Sequence, residues 1–381
     1  MTAVRSYFDY NATVPTKPEV IEAMAEALAI GGNPSSVHGA GRAARRMVED
    51  ARAKVAALVN AKPSEIVFTS GGTEANNLAL GGLEPKHLLL CATEHDSVLG
   101  AAANFSAECG IIPVDENGVV SLTDMHTLME RTKPPVLVSI HHANNETGVI
   151  QPIREAAAAV HEAGAYLHTD AVQTAGRLDV DFAALDVDMM TLSGHKIGGP
   201  QGVGALVVRD GLNLMPLQRG GGQENGRRGG TENLAGIVGF GVAASLAPLD
   251  RADMERVGKL RDDTERRLCA VAPAAIVFGQ NVARLPNTSC ITMPGVHSET
   301  QVMALDLAGV EVSAGAACSA GKVTRSHVLE AMAVDLETSR CAIRISLGWR
   351  TTEADVERLV AAWTALYART RDKAGEARVD G

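Results

Sequence analysis

The feature that most constrains this chain is an alternation of short, continuously apolar segments with segments of helical periodicity. The apolar segments are EIVFTS, HLLLCATE, PVLVSIHHAN, AYLHTDA, DMMTLSG and VGALVVR, and the helical ones between them include GGTEANNLAL and HDSVLGAAANFSAECG. A strand that is apolar throughout belongs to a sheet covered on both faces, and the intervening helices supply that cover. The pattern therefore predicts an α/β fold with a mainly parallel sheet.

The length of the chain and a change in its composition predict two domains. A chain of 381 residues is longer than one core of ordinary size organises. A long charged helix, APLDRADMERVGKLRDDTERRLCAVAP, is followed by the short strands AAIVFG, TSCITM, GVEVSAG and AIRISLG, mixed with helices. Because chain ends often lie together, we expect a large domain over residues 13–250 and a smaller α+β domain over residues 1–12 and 251–381.

Charge and cysteine usage exclude several classes of function. The formal net charge of −10 argues against a nucleic-acid partner, because phosphate contacts need a basic surface. No signal peptide is recognisable, and no run approaches the roughly 20 apolar residues of a membrane span. The six cysteines form no C-x-x-C pair and no zinc-type spacing with histidine. We therefore expect a cytoplasmic protein with free thiols, no metal site and no membrane partner.

Polar or ionisable residues follow five of the predicted strands. They are Gly71-Gly72-Thr73-Glu74, Glu94-His95, Ala143-Asn144-Asn145-Glu146, Asp170 with Gln173, and Ser193-Gly194-His195-Lys196. Each group alone is also explained by a helix cap or a turn. Because ligands of open α/β sheets bind beyond the carboxyl ends of the strands, all five together predict one shared crevice.

The chemistry of these groups suggests pyridoxal phosphate. The Gly71-Gly72-Thr73 segment opens a helix whose N-terminal N–H groups favour an anion, although a tight turn is the alternative. Lys196 is flanked by glycines that admit a large group, and a desolvated lysine can form a Schiff base. Asp170 provides a separate carboxylate for a pyridinium nitrogen. Taken singly, Lys196 is also explained as a loop lysine and Asp170 as a helix cap.

Two other segments rich in small residues need an explanation. Cys318 lies in VSAGAACSAG, among small residues that offer little to pack into a core, unlike the setting of a structural cysteine. The run RGGGQENGRRGGTEN, from Arg219 to Asn233, invites a dinucleotide interpretation. It lacks the preceding strand of a βαβ unit that this fingerprint requires, which argues against that interpretation.

Taken in order, the motifs resemble those of a known enzyme family. They are YFDYNATVP, GNPSSVHGAGR, FTSGGTEANN, TEHDSV, ANNETG, HTDAVQ, SGHKIGGPQGVGAL, GGGQENGRRGGTEN, SAGAACSAG and IRISLG. The chain is identified, from Tyr7 to about Leu366, as similar to NifS/IscS-type cysteine desulfurases, in the class V aminotransferase group of fold-type I pyridoxal phosphate enzymes. The resemblance implies a homodimer that converts L-cysteine to L-alanine and supplies sulfur to an iron–sulfur scaffold or another acceptor.

The resemblance also implies roles for individual residues. The implied catalytic residues are Cys318, which becomes a persulfide, Lys196, which forms the Schiff base, and His95, which stacks on the ring and moves protons. The implied cofactor-binding residues are Lys196, Asp170, Gln173, His95, Gly72, Thr73, Ser193, His195, Asn145 and Thr231, the last reaching the phosphate of the other subunit. The implied substrate-binding residues are Arg344, Asn145 and Asn33.

Other functions remain open from the sequence alone. A selenocysteine lyase or a class V aminotransferase would share the fold and the cofactor. A non-catalytic carrier of sulfur or of a cluster is a third reading, but it leaves Lys196 and Asp170 unexplained. The segment from Ser313 to Cys318 also departs from the serine-rich family pattern, since alanines stand where hydroxyls usually assist the thiolate.

Overall fold

The computed structural model of the chain describes residues 5–315 and 325–379, so Cys318 lies outside the described residues. The strands are β1 (Ser6–Tyr7), β2 (Ile66–Thr69), β3 (His87–Cys91), β4 (Glu108–Ile112), β5 (Val136–Ser139), β6 (Tyr166–Asp170), β7 (Met189–Ser193), β8 (Gly204–Val208), β9 (Thr288–Thr292), β10 (Val310–Glu311) and β11 (Ala342–Ser346). The α-helices are α1 (Pro18–Ile30), α2 (Gly39–Leu58), α3 (Gly72–Gly82), α4 (Asp96–Ala102), α5 (Leu122–Glu130), α6 (Ile153–Glu162), α7 (Phe182–Leu185), α8 (Leu234–Ala252), α9 (Met254–Val271), α10 (Ser298–Leu307), α11 (His327–Ala331), α12 (Leu336–Arg340) and α13 (Glu353–Val379).

A seven-stranded sheet with the order β2-β8-β7-β6-β5-β3-β4 forms the centre of the fold. Strands β3 to β7 pair in parallel, whereas β8 runs antiparallel to both of its neighbours. Every residue of β2, β5, β7 and β8 is buried, as expected for strands covered on both faces. The predicted α/β fold with a mainly parallel sheet is confirmed.

Helices cover the two faces of this sheet. On one face α1, α2 and α8 pack together, and their apolar residues join a core with Phe68 and Val138. On the other face α3 and α4 pack on Val67, Leu88 and Leu90. Contrary to the sequence expectation, α8 is long and apolar enough to cross a membrane by length and composition, but half of its residues are buried here.

A second apolar core is formed mainly by residues beyond position 250. It combines Phe8 near the amino terminus with residues such as Val257, Ile291, Ile343 and Trp363. Strand β1 pairs in parallel with β10, and β9 pairs antiparallel with β11. The charged segment predicted as one helix is two, since α8 ends at Ala252 and α9 begins at Met254. The domain limits near residues 12 and 250 stay a prediction.

Two sequence-based assignments of secondary structure were wrong. The residues ECG, at the end of the predicted helix HDSVLGAAANFSAECG, instead begin β4, an edge strand. Because most of β4 is exposed, it lacks the continuous apolar pattern by which the inner strands were found. AAIVFG forms no strand in the described chain and makes only a bridge between Val277 and Ile291.

Candidate active site

A cavity of about 330 Å³ lies where the carboxyl ends of the sheet strands approach β11. Its lining includes the predicted residues Gly72, Thr73, His95, Asn145, Asp170, Gln173, Ser193, His195, Lys196 and Arg344. The five groups that follow predicted strands therefore each contribute to this one cavity. The roles assigned to the individual side chains stay predictions.

One end of the cavity suits an anion. Helix α3 begins at Gly72, directly after β2, and its first backbone N–H groups have no partner within the helix. Gly204 of β8 pairs with both β2 and β7, and an added Cβ there would lie 2.7 Å from the Gly71 carbonyl carbon. Only glycine permits this approach, which brings the α3 N-terminus beside Ser193. With the nearby Thr73 hydroxyl, the donor set is that of a phosphate site.

Lys196 lies in a single helical turn after β7 and is held by two backbone carbonyls. Its Nζ donates to Asn11 O at 2.5 Å and to Ala12 O at 3.0 Å. Burial, followed by the positive charges of Arg344 and Arg177, lowers the pKa of Lys196 to about 7. A large fraction of this amine is therefore neutral near pH 7, as attack on an aldehyde requires.

Asp170, the last residue of β6, has both carboxylate oxygens held in place. Asn76 Nδ2 donates to Oδ2 at 2.8 Å, and the Val172 N–H donates to Oδ1 at 2.9 Å. Nearby, Gln173 Nε2 donates to Asn11 O at 3.0 Å. A carboxylate oriented in this way is suited to a protonated ring nitrogen.

His95 is the N-cap of α4, and this role fixes its tautomer. The Ser97 N–H donates to His95 Nδ1 at 3.0 Å, so Nδ1 is an acceptor and the proton of the neutral ring is on Nε2. Burial lowers the pKa of His95 below its ordinary value, which favours this neutral form. His95 can therefore offer a proton from Nε2 and take one back.

Arg344 on β11 brings a buried guanidinium to the opposite side of the cavity. Its Nη2 donates to Asp9 Oδ1 at 2.7 Å and its Nη1 to Asn145 O at 3.2 Å. Its Nε has no hydrogen-bond partner among the described residues. A guanidinium with unused donor capacity suits a bidentate carboxylate, which would compete with Asp9 for it.

Two of the predicted site residues do not line the cavity, and a third, Cys318, cannot be placed because it lies outside the described residues. Asn33 and Thr231 are exposed and line no part of it, and Asn33 Oδ1 accepts from the Ser35 N–H at 2.9 Å. Cys318 is outside the described residues, but Ser313 and Gly315, shortly before it, line the cavity. The last described residue before Cys318, Gly315, therefore lies in the cavity wall.

Sequence reasoning missed several residues of the cavity, chiefly Asp9, Asn11, Asn76 and His141. Asn11 holds Lys196 through its backbone carbonyl, so its side-chain type carried no signal. Asp9 and Asn76 stand in motifs that were noticed, YFDYNATVP and FTSGGTEANN, without a role being assigned. His141 was not recognised because it stands within the predicted strand PVLVSIHHAN, before the polar group that begins at Ala143.

The residues of this cavity fit pyridoxal phosphate. That cofactor needs a neutral amine for its aldehyde, an anion site for its phosphate and a carboxylate for its ring nitrogen. Lys196, the α3 N-terminus and Asp170 supply these three groups in one cavity. Within residues 5–315 and 325–379, no group of three or more His, Cys, Asp or Glu side chains is arranged to hold a metal ion.

Comparison with known proteins places the chain in a family. Residues 6–359 match the class-V aminotransferase family model. A cysteine desulfurase IscS of Dictyoglomus turgidum is 43% identical over 366 residues, covering 92% of this chain and 91% of that relative. The structure of a NifS-like protein from Rickettsia africae is 35% identical with a TM-score of 0.89, covering 96% of this chain and 99% of the other.

A third comparison concerns a structure with a bound amino acid. SspA in complex with cysteine is 34% identical with a TM-score of 0.78, covering 90% of this chain and 99% of that one. The resemblance expected from the motifs is confirmed by these matches. The chain belongs to the class-V aminotransferase family of pyridoxal phosphate enzymes, in its NifS/IscS group.

Proposed function

We propose that this protein is a pyridoxal phosphate-dependent cysteine desulfurase, which converts L-cysteine to L-alanine and supplies the sulfur for iron–sulfur cluster assembly. One observation carries the proposal. The cavity that holds Lys196 and Asp170 is also lined by Arg344 and by Ser313 and Gly315. A site for an amino-acid carboxylate and the chain leading to Cys318 therefore meet at the cofactor position. The names of the similar proteins support the same activity.

Different residues of the cavity act at different steps of the reaction. Bound pyridoxal phosphate supplies an electron sink that makes the substrate Cα–H acidic and its sulfur electrophilic. Arg344 binds the carboxylate of L-cysteine, displacing Asp9. Lys196, with its lowered pKa, removes and returns the Cα proton at Nζ. His95 exchanges a proton at Nε2, because its Nδ1 is occupied by Ser97.

Cys318 is the residue we propose to receive the sulfur. Its thiol and that of L-cysteine together become an enzyme persulfide, while the C–S bond breaks and Cβ gains a proton to give the alanine methyl group. The described cysteines are poorer candidates, because none of them lines the cavity. Desolvation also raises the pKa of each of them, that of Cys91 to about 12, so little thiolate is available.

Product analysis tests the activity and its nucleophile together. The purified protein, incubated with L-cysteine and a reductant, should form L-alanine and sulfide in equal amounts. Cys318→Ala should abolish both while the cofactor stays bound, and Cys109→Ala, at an exposed cysteine away from the cavity, is the matched control. Formation of a keto acid instead of alanine would favour an aminotransferase. Sulfide release by Cys318→Ala at the wild-type rate would refute the role of this thiol.

We also propose that the active unit is a homodimer in which Thr231 contributes to the partner subunit's phosphate site. The exposure of Thr231, away from the cavity of its own subunit, supports this arrangement. Lys196→Ala and Thr231→Ala should each be inactive alone. When equal amounts of the two variants are mixed and their dimers exchange subunits, half of the dimers should contain one subunit of each variant. Each of these dimers has one intact site of two, so about a quarter of the wild-type activity should return. No recovery despite demonstrated exchange would exclude a shared site.

The sulfur acceptor and the cellular location belong to the same proposal. An iron–sulfur scaffold or another acceptor protein would take the persulfide sulfur from Cys318, and transfer of labelled sulfur from L-cysteine to a co-purified protein would identify it. A cytoplasmic location is supported by the described cysteines, all of which are free thiols. Cell fractionation tests it, and recovery of the protein outside the cytoplasm would overturn it.

A further inference from the structure

Two buried polar side chains beside the cavity have unused hydrogen-bonding atoms. His141 follows β5 and lines the cavity, and Glu94 follows β3; their side chains are 5% and 0% exposed. Among the described residues, neither ring nitrogen of His141 has a hydrogen-bond partner, and nor has Glu94 Oε2. His141 Nδ1 and Glu94 Oε2 are 3.8 Å apart, so a movement of about 1 Å joins them in a hydrogen bond.

The neighbouring buried histidines show how unusual His141 is. His142 Nδ1 lies 3.1 Å from Thr174 Oγ1, and His168 uses both ring nitrogens, toward Ser139 and Thr191. An unpaired buried imidazole carries its full desolvation penalty, which lowers the stability of the fold. Because His141 lines the cavity, both of its ring nitrogens remain able to form hydrogen bonds or transfer a proton there.

The hydrogen bonds of Glu94 fix where its proton lies. Ser139 Oγ donates to Oε1 at 2.9 Å, so the proton of the acid form is on Oε2, the oxygen nearer His141. Burial, with the negative charge of Asp170, raises the pKa of Glu94 to about 8, while burial lowers the pKa of His141 to about 4. At neutral pH a carboxylic acid therefore faces a neutral imidazole, which is a matched donor and acceptor.

Other ionisable groups face this pair from every side. They are Cys91 on β3, His95 at the start of α4, His142 after β5, Asp170 and His168 on β6, and His327 on α11, whose Nε2 is 2.8 Å from the Glu94 carbonyl oxygen. Asp170 is the negative charge among them, and it opposes ionisation of Glu94 while it favours protonation of His141. A proton shared between Oε2 and Nδ1 is therefore held close to Asp170.

We propose that His141 is a second proton-transfer residue of the cavity and that the Glu94 carboxyl is its proton partner. Glu94 Oε2–H gives its proton to Nδ1 as Nε2–H of the same ring is donated into the cavity, and uptake runs in reverse. The inference rests on the proposed desulfuration, in which the substrate thiol loses a proton and the alanine Cβ gains one. The pair first gives its proton to Cβ, and it then takes up the proton that the substrate sulfur loses once that sulfur is the outer atom of the persulfide, so the pair returns to its starting state after each turnover.

A titration without substrate tests the pair independently of activity. Nitrogen-15 NMR of the histidines is recorded on the cofactor-free protein between pH 5 and 10, and the signal lost in His141→Gln identifies His141. We expect a ring that stays neutral throughout, with a step in its shift near pH 8 as Glu94 ionises. The step should be absent in Glu94→Gln. A wild-type His141 signal without any step near pH 8 would overturn the pairing.

Steady-state kinetics of alanine formation tests the catalytic role. General acid–base groups typically contribute about 10²–10⁴-fold, and His95 remains, so His141→Gln should lower kcat at least tenfold and leave KM for L-cysteine within about twofold. Glu94→Gln should also remove any fall of kcat above about pH 8. His142→Gln, at the adjacent buried histidine outside the cavity, is the matched control and should keep kcat.

The outcomes separate the two proposals. Unchanged kcat in a folded His141→Gln, with the cofactor absorbance and melting temperature of the wild type, would refute the role of His141. His141→Asn provides a second variant if the glutamine does not fold. A wild-type protein that forms no alanine from L-cysteine would refute the proposed function instead, and the NMR titration would still decide whether Glu94 and His141 are paired.

Discussion

Replacing Arg344 by Gln should slow the attachment of pyridoxal phosphate to Lys196 at pH 7. With a pKa of about 7, about half of the Lys196 amine is neutral at that pH, against about one in 3,000 for a lysine with the ordinary value of 10.5. Arg344 is the largest charged contribution to this lowering, after burial. Its loss also frees Asp9, whose negative charge acts in the same direction.

The size of the effect follows from the charge that is lost. Nearby charges move a pKa by about one to three, so the smallest expected change takes Lys196 from about 7 to about 8. The neutral fraction at pH 7 then falls about fivefold, and the attachment rate falls with it. At pH 9 the rates should converge, because the amine is mainly neutral in both proteins.

The assay follows the visible absorbance after cofactor is mixed with cofactor-free protein between pH 6 and pH 10. Arg344→Lys keeps the positive charge and is the matched control, with a pH profile close to that of the wild type. A wild-type rate that still rises tenfold per pH unit up to pH 10 would refute the lowered pKa of Lys196. Superimposable profiles of the wild type and Arg344→Gln would refute the contribution of Arg344.

Three further predictions concern stability. An added Cβ at Gly315 would lie 2.6 Å from Glu146 Oε2, so Gly315→Ala should destabilise by about 1–3 kcal/mol in thermal unfolding, and an unchanged melting temperature would contradict this contact. Glu94 stays protonated up to about pH 8 in the folded protein but ionises near pH 4.5 in the unfolded chain. The free energy of unfolding of the wild type should therefore fall by about 1.4 kcal/mol per pH unit between pH 5 and 8 relative to Glu94→Gln. A difference that is independent of pH would refute the burial argument. Arg52 Nη1 lies 2.8 Å from Glu224 Oε2 in a buried ion pair. Arg52→Met leaves Glu224 without this partner and should lower the free energy of unfolding in denaturant by about 3–5 kcal/mol. A loss below about 1 kcal/mol would count against the ion pair.

The sheet was predictable because burial on both faces leaves a strong mark on a sequence. Strands β2, β5, β7 and β8 are buried throughout, and their continuous apolar runs were recognised. The edge strand β4 carries no such mark, since Glu108, Cys109 and Ile111 are exposed. The polar groups after the strands were found for a related reason, because a change from apolar to ionisable residues marks the end of a buried strand.

The remainder of the site depends on contacts between distant parts of the chain. Asn11 and Ala12 hold Lys196 through carbonyl groups that every residue has, so only the fold identifies them. The lowered pKa of Lys196 likewise depends on Arg344, which approaches from a different sheet. His141 differs from an ordinary core histidine only in the hydrogen bonds that its ring lacks among the described residues, and a sequence does not show these.

The pairing of the two ends of the chain has a consequence for biosynthesis. Strand β1 requires β10, and Asp9 contacts Arg344 across a separation of 335 residues. Ribosomes add about 5–20 residues per second, so the amino-terminal segment waits on the order of 15–70 s for its partners. A nascent chain therefore cannot complete the cavity, or bind a substrate carboxylate through Arg344, before Arg344 has left the ribosome.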